Sequence, residues 1–418
     1  MSSSMTRSHV IVVGSGGRPY REYSFATLAQ HYRVSAVLPS EPTWQHRYIS
    51  DSIVADLADP DVIAAAVSAL AGERAETGLL TWDETVLEAT AQAAEKLGLP
   101  HMSAQAAARC RDKYATRTLL ERAGLASVRH RLVTSAQEAV RSAESFGYPV
   151  VVKPRALAGS LGVVLAEDGA AVRRAFALAE SSRFADLPTG HGVLVEEYLD
   201  GPEISVDSVV FEGQVECVHV ARKRLGFEPY FEEVGHLVTD WSHEPWAQPV
   251  RELVVQAHRA LGVTHGVTHA EIRLTREGPR LVELNGRLGG DLIPFISAMA
   301  TGIDLVAAAA ELALGRRPAL AATRSAAAEV RFVYPPYDCV VGSVDVDRAA
   351  RVPGIAHATV LADPGSRLLL PPRHPIPRLA ALVAVGDERD CARALHEAEH
   401  AVVAHLEPLE PLEVPRAG

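Results

Sequence analysis

Residues 268–291, THAEIRLTREGPRLVELNGRLGGD, decide the architecture of the chain. Ala270, Ile272 and Leu274 fall on one side of an alternating pattern, with Glu271 and Arg273 on the other. After the turn signal Arg276-Glu277-Gly278-Pro279, Val282 and Leu284 alternate with Glu283, Asn285 and Arg287. A period of two belongs to a half-buried strand, so the stretch reads as a β-hairpin. Folding it about Glu277-Gly278 sets Glu271 opposite or diagonal to Glu283, where like charges repel unless a cation lies between them. Two carboxylates and the amide oxygen of Asn285 form a hard, incomplete, all-oxygen donor set. Such a set suits Mg²⁺, which keeps waters and takes further oxygens from phosphates. Arg287 could then face those phosphates. The same residues also fit a surface hairpin whose glutamates pair with Arg273 and Arg280, and both readings stay open at this point.

A chain of 418 residues with 48% hydrophobic and 22% charged content reads as two or three core-forming domains. The net charge of -11 gives no electrostatic reason to expect nucleic acid, which leaves small molecules as the expected partners. Cys110, Cys217, Cys339 and Cys391 lie far apart without CxxC spacing, so they read as reduced thiols rather than a disulfide framework or zinc site. No apolar run reaches membrane length and His9–Val13 is too short for a signal-peptide core; the expectation is a cytoplasmic protein with no membrane contact.

Taken in order, the chain opens with an apolar strand at His9–Val13 that runs into Gly14-Ser15-Gly16-Gly17. Strands at Val34–Leu38 and Gly78–Thr81 alternate with helices around Asp59–Leu70 and Thr85–Leu97, the rhythm of a parallel α/β domain over residues 1–108. Pro19 and Tyr20 break the spacing of a dinucleotide fingerprint, which argues against a nicotinamide cofactor. A helix from Arg109 to the stop at Gly124 carries Lys113 near its start. Residues 149–167 read as strand, glycine loop and strand. Lys153 closes the first strand, where an ammonium is costly unless it meets an anion. Gly159, Ser160 and Gly162 belong to the loop, whose backbone N–H groups could close over phosphates. Glu196 and Glu197 end a strand before the turn Asp200-Gly201-Pro202, and Glu203 opens the next, offering hydrogen bonds to an adenine and a ribose. An exposed acidic turn is the plainer reading. Residues 221–241 read as a long polar-aromatic connection, with Glu233 and His236 three apart inside it. His236 could accept a proton, set specificity or be structural. Helices at Trp246–Leu261, Leu292–Met299 and Asp304–Leu314 lead to a boundary near 318–325. Beyond it, strands at Ala328–Val333, Ser343–Val346, Ala358–Leu361 and Leu379–Val385 precede a helix Glu388–His405, a small α+β domain.

Taken together, Lys113, VVVKP, AGSLGV, VEEYLDGPE, AEIRL and VELNGRLGGD resemble the ATP-grasp superfamily across roughly residues 8–315. FEEVGH and NGRLGGD look most like its carboxylate–amine ligases of the L-amino-acid ligase, or dipeptide synthetase, type. The resemblance implies an ATP-grasp fold of mixed α/β and α+β class. A Rossmann-like N-terminal domain (1–108) would precede the ATP-grasp domain (109–320, lid about 115–192) and a C-terminal α+β domain (321–418). It implies ATP and Mg²⁺, with Mn²⁺ as an alternative. Lys113 and Lys153 would contact phosphates, Gly159–Gly162 would form the lid loop, Glu196, Glu197 and Leu199 would frame the adenine, and Glu203 would bind ribose. Glu271, Glu283 and Asn285 would hold metal, and Arg287 would bridge the γ-phosphate and a substrate carboxylate. Glu233, His236, Gly289 and Gly290 would surround amino-acid substrates. The implied reaction forms an amide bond through an acyl phosphate, releasing ADP and phosphate. A ligase or carboxylase of nucleotide biosynthesis and a non-catalytic nucleotide-binding regulator are the alternatives, and a homodimer is left open.

Overall fold

The computed structural model describes residues 7–72, 76–125, 128–183, 191–374 and 376–410. The first module contains β1 (His9–Val13), α1 (Arg18–His31), β2 (Arg33–Leu38), β3 (Asp51–Val54), α2 (Pro60–Ala71), β4 (Thr77–Leu80) and α3 (Leu87–Leu97). Its parallel sheet has the order β3-β2-β1-β4. All five residues of β1 are buried, as a central strand covered on both faces requires. The sequence did not point to β3, Asp-Ser-Ile-Val at the sheet edge, because its half-exposed residues form no apolar run.

The helix expected from Arg109 is two helices, α4 (Ala104–Arg111) and α5 (Lys113–Arg122). Asp112 causes the break. Its carboxylate accepts from the N–H groups of Tyr114 and Ala115 at 3.0 and 3.1 Å, capping α5, and Arg155 Nε donates to it at 2.8 Å. There follow β5 (His130–Val133), α6 (Ala136–Phe146), β6 (Val150–Pro154), β7 (Val164–Ala166), α7 (Gly169–Ser181) and β8 (Val193–Glu197). They make an antiparallel sheet of order β5-β8-β6-β7. Val140 of α6 and Val172 and Phe176 of α7 pack on Val150, Val152 and Val195.

The large sheet takes β9 (Glu203–Phe211), β10 (Gln214–Gly226), β11 (Glu232–Val238), β12 (Gly266–Thr275) and β13 (Gly278–Asn285), with α8 (Ala247–Leu261), α9 (Ile293–Thr301) and α10 (Leu305–Ala313) in the connections. Residues 221–241, expected as a long loop, are mostly the β10–β11 hairpin. The C-terminal segment supplies β14 (Ala327–Val333), β15 (Cys339–Asp345), β16 (Ile355–Val360), β17 (Arg367–Leu368), β18 (Ala380–Gly386), α11 (Glu388–Ala401) and β19 (Val403–Pro408). Three of these strands continue the large sheet, whose order is β13-β12-β9-β10-β11-β14-β18-β16, while β17-β15-β19 form a separate small sheet. The helix expected to reach His405 ends at Ala401. The β-branched pair Val402-Val403 leads into β19, which pairs with β15.

Alternation divides the large sheet into a core face and a site face. Ile204 and Val206 of β9, Ala270 and Ile272 of β12, and Leu284 of β13 pack with Val250, Val254 and Leu261 of α8. The intervening residues, among them Asp207, His269, Glu271, Glu283 and Asn285, therefore share the opposite face, and Glu271, Glu283 and Asn285 line a cleft there with residues of the β5-β8-β6-β7 sheet.

Candidate active site

The main cleft lies between the lid sheet and the site face of the large sheet, and Lys153, Ser160, Leu199, Glu271, Glu283 and Arg287 are among the residues lining it. Glu271 and Glu283 are direct register partners, as the alternation of the hairpin requires, and His269 stands opposite Asn285. A register shift follows at Glu271/Ile272. Asn285 is 3% exposed and lines the cleft. Lys113, at the start of α5, sends Nζ to Leu157 O at 2.7 Å and to Glu283 Oε2 at 3.2 Å. Facing carboxylates with a buried amide beside them are a donor set whose chemistry fits a hard divalent cation.

Most of the charged side chains brought together here are already paired. Burial alone would raise the Glu196 carboxyl, but Arg117 (2.8 and 2.9 Å) and Lys153 (2.7 Å) hold it down at about 2. Burial also lowers the Lys153 ammonium, which Glu196 opposes. Glu197 is bound by Arg129 Nε at 2.6 Å. Glu203 takes Lys223 at 3.0 Å on one oxygen and Arg273 Nε at 2.7 Å on the other.

The lid loop holds Gly159, Ser160 and Gly162 at φ of 66°, 52° and 75°, a run of left-handed positions that glycine adopts freely. A Cβ on Gly162 would stand 2.6 Å from Ser182 Oγ. At the other end of the cleft, Gly289 backs onto His269 and Asp207, where a Cβ would meet Nδ1 at 3.0 Å and Oδ1 at 3.2 Å.

Three groups escaped the sequence reading. Lys223, from the stretch expected to be a loop, has a fully buried side chain whose Nζ lies 3.0, 2.9 and 3.0 Å from Glu203, Glu233 and Glu271. These carboxylates raise its ammonium pKa against the effect of burial. Glu84 of the N-terminal module pairs with Nε of Arg287, whose side chain is 15% exposed, and also binds Arg111 at 2.7 Å. His269 faces a second cavity, which adjoins the main cleft at Ser160, Glu233 and Arg287 and also reaches Gly290. His236, by contrast, is fully buried behind Glu233 and Asp291, its Nε2 lying 3.3 and 3.4 Å from their carboxylates. Lys223, Glu84 and His269 carry no local motif, and it is strand pairing or domain contact that delivers them.

Two sheets facing across a cleft lined by lysines, facing carboxylates and a glycine loop have the chemistry to hold a phosphorylated ligand with a hard cation. A model of the ATP-grasp domain matches residues 146–294 and one of the ATP-grasp N-terminal domain matches residues 33–101, so these two stretches carry an ATP-grasp domain preceded by its N-terminal domain. It is similar to an uncharacterized protein of Sinorhizobium fredii, 29% identical over 75% of this chain and 65% of that protein. It is also similar to an alanine–anticapsin ligase of Bacillus subtilis, 27% identical over 54% of this chain and 52% of that one. The chain thus spans between half and two thirds of the length of these relatives. The crystal structure of an L-amino acid ligase from Bacillus licheniformis has the same fold, with a TM-score of 0.81 over 97% of this chain and 100% of that one at 20% identity. No single described helix is long and apolar enough to cross a membrane.

Proposed function

We propose that the protein is an ATP-dependent carboxylate–amine ligase that joins an amino-acid carboxylate to an amine, a second amino acid being the natural candidate. The observation that carries this reading is the register pairing of Glu271 with Glu283, beside Asn285 and Arg287, in an ATP-grasp cleft. A carboxylate is a poor electrophile and must be activated. Transfer of the γ-phosphoryl group gives an acyl phosphate and ADP; attack by the amine then forms the amide and expels phosphate. Glu271, Glu283 and Asn285 would hold Mg²⁺ or Mn²⁺, which when bound neutralises charge on the transferring phosphoryl group. Lys113 and Lys153 would steady the phosphates, and the Gly159–Gly162 loop would exclude water from the acyl phosphate. Glu197, Leu199 and Glu203 would frame adenine and ribose, with Glu196 orienting Lys153. The fork of Arg287 can meet a carboxylate and a phosphate oxygen together. Glu233, His236, Gly289 and Gly290 would enclose the amino acids. Free thiols and an ATP substrate fit a cytoplasmic enzyme, and a homodimer is testable by sedimentation.

The test is incubation with ATP, Mg²⁺ and pooled amino acids, followed by mass analysis. Dipeptide masses with ADP and phosphate are expected. AMP and pyrophosphate would show adenylation and reject the acyl-phosphate mechanism.

A further inference from the structure

The hairpin that carries Glu271 and Glu283 is not a regular one. Residues 272–275 pair one for one with residues 278–281, but Glu271 pairs with Glu283, so Val282 stands outside the ladder as a β-bulge. The flanking leucines record it. Leu281 and Leu284, three apart, are both buried in the core shared with α8, where strict alternation would put them on opposite faces. At this point β13 carries one residue more than a plain ladder holds. If the bulge did not absorb it, every residue beyond Val282 would change faces, and Glu283 and Asn285 would turn into the core. The facing of the two carboxylates depends on that one irregularity.

Arg117 grips the bulge. It lies one turn after Lys113 on α5 and is 1% exposed. Its Nη1 donates to Leu281 O at 2.6 Å and its Nη2 to Val282 O at 3.0 Å. Successive carbonyls of a regular strand point to opposite edges, so one fork meets both only where the strand is bulged. β13 is the last strand of the large sheet, so its outer side is held by what α5 offers rather than by another strand. Nε and Nη2 of the same guanidinium donate to the two oxygens of Glu196 on β8, at 2.8 and 2.9 Å. Arg117 borders the cleft, but these four hydrogen bonds commit its donors to the protein. Lys113, from the same face of α5, reaches Glu283 itself at 3.2 Å. α5 therefore brackets β13 both at the bulge and at the residue the bulge presents.

A guanidinium buried this deeply is costly to desolvate, and an apolar contact between α5 and β13 would cost less. What the arginine adds is direction, because its planar fork fixes two carbonyls and a carboxylate at once. We infer that Arg117 is a positioning residue for the candidate metal carboxylates. By holding the Val282 bulge it sets Glu283 and Asn285 on the cleft face with Glu271, and through Glu196 it ties that register to the strand leading into the nucleotide segment 196–203. The inference rests on the metal role given to Glu271, Glu283 and Asn285 in the ligase reading, and adds a residue that acts on them through the backbone of β13.

ADP binding needs no turnover, so the test is calorimetric. The Kd for ADP is measured with excess Mg²⁺ and with EDTA, and the ratio is the Mg²⁺ advantage of each protein. Arg117→Met removes the donors at similar length and leaves Glu196 its bond from Lys153. Arg117→Lys keeps a cation without the fork and serves if the first variant is unstable. The Mg²⁺ advantage should fall roughly 10-fold or more, as when a partner behind a metal ligand is removed. Urea unfolding is run beside it, since an arginine that only stabilised the fold would lower the midpoint and leave the ratio of the folded protein unchanged. Glu196→Gln is the control because it keeps both bonds from Arg117 to β13, and its Mg²⁺ advantage should stay near that of the wild type. A loss in Glu196→Gln equal to that of the Arg117 variants would show that Arg117 acts through Glu196 and overturn the bulge as the route. Folded Arg117 variants that keep the wild-type ratio overturn the inference outright. A wild type with no Mg²⁺ advantage would sink the metal assignment on which it rests. Dipeptide formation is assayed separately: no product, with a Mg²⁺ advantage that the Arg117 variants lose, would reject the ligase reading and leave the role of Arg117 standing.

Discussion

Arg287 joins chemistry to stability at a single side chain. Its exit position on the hairpin makes it the proposed phosphate-facing group, but only the fold reveals that Glu84, 203 residues away in sequence, holds it. Arg287→Lys keeps the charge and loses the fork, so kcat should fall roughly 10²-fold, as for other pre-organised charge stabilisers. The same change leaves buried Glu84 half-paired and should lower stability by about 1–3 kcal/mol, read from urea unfolding beside the kinetics. Glu196 gives a pH signature. Its folded carboxyl sits at about 2 against an ordinary value of 4.5, so its stabilising effect is present above pH 4.5 and is lost as pH falls toward 2. Glu196→Gln should be less stable than wild type at pH 7, with a shallower loss of stability between pH 4.5 and 2 in unfolding titrations. The pairing of Glu271 with Glu283 was legible because both follow the period of their own strands. Lys223, Glu84 and His269 were not, because what places them at the cleft is a neighbour that sequence distance hides.

At the scale of elements, the Gly159–Gly162 loop holds three left-handed positions beside the cleft. Gly162→Ala must place a side chain at φ 75° and within 2.6 Å of Ser182 Oγ. A loss of about 1–2 kcal/mol is expected for the left-handed conformation alone, together with a raised KM for ATP; both are checked by a melting curve and steady-state kinetics. The β10–β11 hairpin hid from the sequence for a related reason. Its site-facing side chains, Lys223, Glu233 and His236, line a polar interior, so the alternation of apolar and polar residues that announces a strand is absent where the strand matters most. The last helix was overextended because Leu395, Ala398 and Val402 continue a helical stripe, and the change to a strand rests on pairing with β15 rather than on any local breaker.

For the whole molecule, the boundary read near residue 320 separates segments of sequence without separating sheets. β14 pairs with β11 across it, and Arg378 reaches back to Asp291. A chain ended at residue 320 should therefore expose the β11 edge, aggregate on expression and fail to bind amino acids, as size-exclusion chromatography and calorimetry would show. A soluble, monomeric, binding-competent fragment would make the C-terminal segment dispensable. The same pairing sets a schedule during synthesis. β11 ends at Val238 and its outer neighbour begins at Ala327, so roughly 90 residues must be translated before that edge can be covered. At ordinary elongation rates this takes on the order of ten seconds. Throughout that interval the nascent chain presents an open strand to its surroundings, which makes the ribosome-bound intermediate, rather than the finished chain, the species most open to edge-to-edge association.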